Sequence, residues 1–109
     1  MTVSLNTSGA QLAVITTEHT LATITTPGVF QLVVDLAALA AGDTVELRIY
    51  GKARSSDTER LLQRATYGPV PLVMPLVQGV PTVTPHYYRA TLKQTAGTGR
   101  TFPWAVYET

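Results

Sequence analysis

The chain has no cysteine among its 109 residues, which excludes a disulfide framework and any thiolate-ligated metal site. It is also poor in charge: Asp, Glu, Lys and Arg make up 14% of it, against about 25% in an average soluble domain. Eight basic residues face seven acidic ones, a net charge of +1. The basic excess by which a protein holds a phosphate backbone is therefore missing, and nucleic acid is not an expected partner. No apolar run approaches the ~18 residues of a helical membrane span, so no membrane partner is expected either. The opening residues Met1 to Leu5 lack the basic stretch and apolar run of a secretory leader, and none is expected.

Uncharged polar residues fill the place of the missing charge, threonine above all. Threonine is β-branched and stiff at χ1, which favours strands. The plainest strand signal is Phe30, Leu32, Val34 and Leu36 at period two, with Gln31, Val33 and Asp35 between them. Val45, Leu47 and Ile49 repeat the pattern opposite Glu46, Arg48 and Tyr50, and Phe102, Trp104 and Val106 repeat it again near the end. Two short strands are expected between Leu12 and Ile24, around Thr16 to His19, and another from His86 to Gln94. Arg60 to Tyr67 fits helix or strand by pattern, and Ala65-Thr66-Tyr67 before Gly68-Pro69 favours strand. Leu36 to Ala41 has room for one helical turn at most. Seven or eight short strands with turns every 8–12 residues predict an all-β fold. The expected architecture is an antiparallel, jelly-roll-like β-sandwich, one domain over residues 1–109. Phe30, Leu32, Val34, Leu36, Val45, Leu47, Ile49, Phe102 and Trp104 are its predicted inward set.

The segment 67–88 stands apart. It carries Pro69, Pro71, Pro75, Pro81 and Pro85, no Asp, Glu, Lys or Arg, and a run of apolar side chains. Proline cannot donate to a central ladder, so the segment reads as an edge strand, a bulged strand or an extended arm. Left bare, it would be an adhesive patch. Leu72, Val73, Met74, Leu76, Val77 and Tyr87 are accordingly the expected protein-interface residues, and Arg48, Lys52, Arg54, Arg60 and Arg64 a possible charged rim around the contact.

Three stretches carry a family resemblance: Phe30 to Leu36, Ala41 to Tyr50, and Ala90 to Arg100 running into Phe102-Pro103-Trp104. In that order and spacing they resemble small virion proteins encoded near the head genes of tailed bacteriophages. The similarity covers most of the chain after residue 20, and 54–85 carries none of the motifs. The resemblance implies a β-sandwich decoration (cement) protein, made in the host cytoplasm, that binds the major capsid protein on the outside of the virion head. A homo-oligomer, a trimer by preference, goes with that role. A carbohydrate- or ligand-binding module of a head fibre or tail component is the alternative, with Tyr50, Tyr87 and Tyr107 as possible sugar platforms.

No constellation calls for catalysis, a metal or another cofactor. Glu18 and His19 are adjacent, and on a strand adjacent side chains face opposite ways. His19 and His86 lack zinc-ligand spacing, and Asp35, Asp43 and Asp57 do not cluster in sequence. Gly97-Thr98-Gly99-Arg100 has glycines like a phosphate loop but leads into a strand rather than a helix, so a hairpin turn is expected there, and Asp43 is expected to cap its own turn in Gly42-Asp43-Thr44.

Overall fold

The period-two apolar faces of Phe30–Leu36 and Val45–Ile49 can be buried only against each other or against strands of the same kind, and this requires two stacked sheets. The computed structural model, which describes residues 2–109, contains nine strands. They are β1 Ser4–Leu12, β2 Glu18–Ile24, β3 Gly28–Asp35, β4 Thr44–Gly51, β5 Arg60–Tyr67, β6 Leu76–Gln78, β7 Thr82–Thr84, β8 Tyr88–Ala96 and β9 Thr101–Glu108. One sheet has the order β1-β9-β3-β6, with β7 also on β3, and the other has the order β2-β8-β4-β5. Every pairing is antiparallel. The fold is the all-β, two-sheet sandwich predicted from the alternation.

The pairings nest. The β4·β5 hairpin lies innermost in the chain, followed by β3 with β6 and β7, then β2·β8, with β1·β9 outermost. The strand count depends on the proline-broken segment. β6 and β7 lie on one side of β3, and the register moves by one residue between Val33↔Gln78 and Phe30↔Thr82. They are thus two halves of one bulged edge strand. The break is at Gly79, whose amide donates to the Leu32 carbonyl at 2.8 Å and whose carbonyl accepts from Gln31 Nε2 at 2.8 Å.

The core is the predicted one, with additions. Phe30, Leu32, Val34, Leu36, Val45, Leu47, Ile49 and Phe102 are buried, joined by Tyr88, Ala90, Leu92 and Val106. Phe30 and Tyr88 pack as a tilted aromatic pair with ring centroids 5.4 Å apart. Trp104 departs from expectation. It is only half-buried, packs against the rim of the core, and lies over the backbone of Gly9, where a Cβ would stand 3.2 Å from its ring. Two boundaries also differ. The first strand begins at Ser4 rather than near Leu12, because the uncharged residues 4–11 pair with β9 without any hydrophobic alternation to signal it. Leu36 to Asp43 forms successive turns rather than a helical turn, closed by Leu39 N–H to Leu36 C=O and Asp43 N–H to Ala40 C=O, both 3.0 Å.

Candidate functional site

Three features could support a function: a charged belt across one sheet, a cleft between the sheets, and an apolar edge.

The belt lies on the outer face of β2-β8-β4-β5, where β2 supplies Glu18, β4 supplies Glu46, Arg48 and Tyr50, and β8 supplies Arg89 and Thr91. Tyr50 and Thr91 donate their hydroxyls to Glu18 Oε2 at 2.6 and 2.7 Å, and Arg48 Nη1 donates to Glu18 Oε1 at 3.2 Å. Arg48 also donates through Nε to Glu46. Partial burial alone would raise the Glu18 pKa, but these hydrogen bonds and the charges of Arg48 and Arg89 outweigh it and hold the carboxyl below its usual range. Glu59, from the loop before β5, takes two hydrogen bonds from Arg89 at 2.6 and 3.0 Å and one from the Tyr87 hydroxyl at 2.6 Å. The Arg89 bonds lead in keeping Glu59 ionised. Desolvation, then Glu59, pushes the Tyr87 phenol up. Cations cover the tyrosine rings: Arg89 sits 4.4 Å from the Tyr50 centroid and Lys52 Nζ 4.4 Å from that of Tyr87. The belt is therefore closed on itself. Its carboxylates are already occupied acceptors, and two of the three suggested sugar platforms, Tyr50 and Tyr87, are covered.

Glu18 and His19 do not meet, because His19 Nε2 accepts the Val14 amide at 3.0 Å across the turn before β2. Among the described residues there is no group of three or more His, Asp or Glu side chains placed to hold a metal ion.

A second charged cluster joins two turns. Asp43 is 1% exposed. Its carboxylate accepts the amides of Ala40 at 2.9 Å and Thr98 at 3.1 Å, and Arg100 Nε at 2.9 Å. The Ala40 amide, then Arg100 and Thr98, hold its pKa low against the opposing effect of burial. The Gly97–Arg100 loop thus binds a carboxylate of its own chain. It is not the hairpin turn expected from its glycines: β8 and β9 belong to different sheets, so the loop carries the chain from one sheet to the other, with Gly97 at φ +91°. Gln94 is buried beside it, donating to Ala96 and Thr98 carbonyls at 3.1 and 2.7 Å and accepting the Arg100 amide at 3.2 Å. This cluster is a structural clasp.

The cleft, about 510 Å³, opens between the sheets where β5 and β6 form their edges. Leu32, Leu47, Ile49, Leu62, Tyr67 and Val80 give it an apolar lining, with Gln63 and Arg64 among its polar groups.

The apolar edge is the predicted segment. Val73 is 97% and Met74 82% exposed, and Val70, Leu76, Val80 and Val83 are also exposed. The rest of the expected interface set divides. Leu72 and Val77 are half-buried against the core of their own sandwich, and Tyr87 is tied to Glu59. Of the expected charged rim, Arg48 is bound within the belt, Lys52 covers Tyr87, and Arg54 pairs with Asp57 at 3.0 Å. Arg60 and Arg64 are exposed on β5 with no carboxylate partner among the described residues.

Sequence reasoning identified the apolar edge and missed the belt and the clasp. Glu18–Arg48, Glu59–Arg89 and Asp43–Arg100 join residues 30, 30 and 57 positions apart, and no local spacing marks such pairs. The one usable signal was the low charge content itself, since most of the few ionisable groups are matched within the fold. No protein-family model, curated protein or solved structure matches the chain.

Proposed function

We propose that the protein is a non-catalytic virion component of a tailed phage, a head decoration protein that docks on the major capsid protein and stabilises the shell. The observation that carries the reading is the bare apolar edge around Val73 and Met74 on an otherwise cross-braced sandwich. A solvent-exposed run of this kind is costly for a monomer and useful for a subunit that must seat on a neighbour. Each Val, Leu or Met fully buried in the contact contributes about 1.5–3 kcal/mol before the cost of association. The prolines of the segment restrict its unfolded conformations, so less entropy is lost when it docks. Arg60 and Arg64 on the neighbouring β5 provide a cationic margin suited to an acidic capsid surface. The nested strand order supports a jelly-roll arrangement, and the resemblance of the β3, β4 and β8–β9 stretches to head proteins supplies the particle.

Quantitative protein analysis of purified particles tests the proposal. Heads contain the protein, and particles lacking it assemble but release DNA more readily on heating or magnesium withdrawal. Heads without it overturn the virion role. Heads that contain it and tolerate its loss unchanged overturn the stabilising role.

The cleft favours a second reading, a module that binds an apolar or amphipathic ligand. Saturable binding of such a ligand with a rise in melting temperature, lost on Leu62→Glu, would promote that reading over the first.

A further inference from the structure

The sandwich has four edges, and three of them are guarded against strand addition. β5 carries Arg60 and Arg64, β2 carries Glu18 and His19, and the β6–β7 edge is short, bulged and interrupted by Pro81. β1 is different. It is one of the two longest strands, and Ser4–Leu12 contains no charged residue and no proline. One side of its backbone pairs with β9, and among the described residues nothing pairs with the other. A long uncharged edge is a template for another strand.

The register of β1 on β9 identifies that strand. Leu5, Ser8, Ala10 and Leu12 stand opposite Tyr107, Ala105, Pro103 and Thr101 and share their outer face. Thr7, Gly9 and Gln11 stand opposite Val106, Trp104 and Phe102, on the inner face. A bulge between Leu5 and Thr7 removes Asn6 from the alternation. Eight facing positions remain, and the seven from Leu5 to Leu12 are self-complementary about Gly9. When β1 is laid antiparallel on a second β1 with the dyad at Gly9, Leu5 meets Leu12, Thr7 meets Gln11 and Ser8 meets Ala10. Each pair lies on one face: an apolar pair, a hydrogen-bonding pair and a small pair. A slip of one position sets outer residues against inner ones, and a slip of two separates the leucines. Leu5 and Leu12, 53% and 60% exposed, are bare in the single chain and covered in this arrangement. No like charges oppose one another anywhere along it.

We infer that β1 is a homodimerisation edge, joining two copies through an isologous β1–β1 pair into one continuous sheet centred on Gly9. This surface lies on the opposite edge of its sheet from the apolar segment, so the inference is independent of capsid docking. Its two-fold symmetry also differs from the three-fold assembly expected from the sequence.

Sedimentation equilibrium of the full chain, up to about 1 mM, where even weak association registers, tests it together with three variants. The expected species is a dimer of twice 11.7 kDa. Ser8→Lys with Ala10→Lys, both at exposed positions, sets lysine opposite lysine at two symmetric places and weakens the dimer about tenfold. Ser8→Lys with Ala10→Glu restores it. Because the chain has no cysteine, Leu5→Cys with Leu12→Cys gives a clean second readout. Directly opposed residues lie within disulfide reach, so the double variant cross-links into a covalent dimer on mild oxidation and Leu5→Cys alone does not. A monomer throughout, a trimer, a dimer indifferent to the paired lysines, or absence of the cross-link each overturns the inference.

Discussion

Replacing Asp43 with alanine removes the clasp between the Leu36–Asp43 turns and the loop that joins β8 to β9, and its cost can be worked out from the contacts. Two backbone amides, of Ala40 and Thr98, lose their acceptor, and a buried donor left unpaired costs about 1–3 kcal/mol. Arg100 loses its carboxylate partner, but its side chain is 36% exposed and regains water, so that loss is discounted to about 1 kcal/mol or less. Ala40 is half-buried and Thr98 exposed, so each amide falls at the low end of its range and the sum is about 3 kcal/mol. In a domain of about 100 residues each kcal/mol moves the melting midpoint by about 4 °C, so Asp43→Ala lowers it by about 12 °C. Asp43→Asn keeps an oxygen acceptor and loses about half as much. The Asp43 pKa is depressed in the fold, so its stabilisation is fully present above the unfolded-state value of about 3.9 and is lost as pH falls through the folded value. Wild-type stability therefore declines more steeply below pH 4 than that of Asp43→Asn. Thermal melts followed by circular dichroism at neutral and acid pH are the assay. An Asp43→Ala midpoint within about 2 °C of wild type would show that the turns hold without the carboxylate.

Three further outcomes follow from single positions. Val34→Asp places an unpaired charge at a fully buried site and abolishes the cooperative melt, whereas a normal melt would mean that β3 presents its other face to the core. Gly97→Ala is strained twice over, by φ +91° and by a Cβ that would stand 2.0 Å from Asp43 Oδ1. It costs less in an Asp43→Ala background than in the wild type, and equal costs in a double-mutant cycle would refute the coupling. Thr16 is a β-branched residue at φ +68°, so Thr16→Asn, which tolerates that conformation, raises stability by about 0.5–1 kcal/mol, and a lower midpoint would count against strain there.

The parts of the fold legible in sequence were those governed by a local period. Burial alternates along β3 and β4 as the apolar residues do, because each strand has one face on the core and one turned outward. β5 was readable as a strand through its β-favouring end and the Gly-Pro stop. β1 was largely invisible: an edge strand exposed on both faces needs no hydrophobic alternation, and only Leu12 lay within the predicted region. Trp104 followed the period of Phe102 and Val106, but it lies over Gly9, which has no side chain to cover it, and stays half-open. Of the site, the exposed Val73–Met74 run was visible because proline and missing charge are properties of composition. The fates of Leu72 and Val77 depend on which side of β3 the arm turns back to, and pattern does not fix that.

The central claim, that the apolar edge is the docking surface of a head protein, is tested most directly by measuring how much protein occupies purified heads when Val73 and Met74 are both serine. Both side chains are almost wholly exposed, so the variant melts like the wild type. Occupancy falls at least tenfold if the two side chains together contribute more than about 1.4 kcal/mol of docking energy. Equal occupancy of heads by the variant and the wild type would contradict the claim.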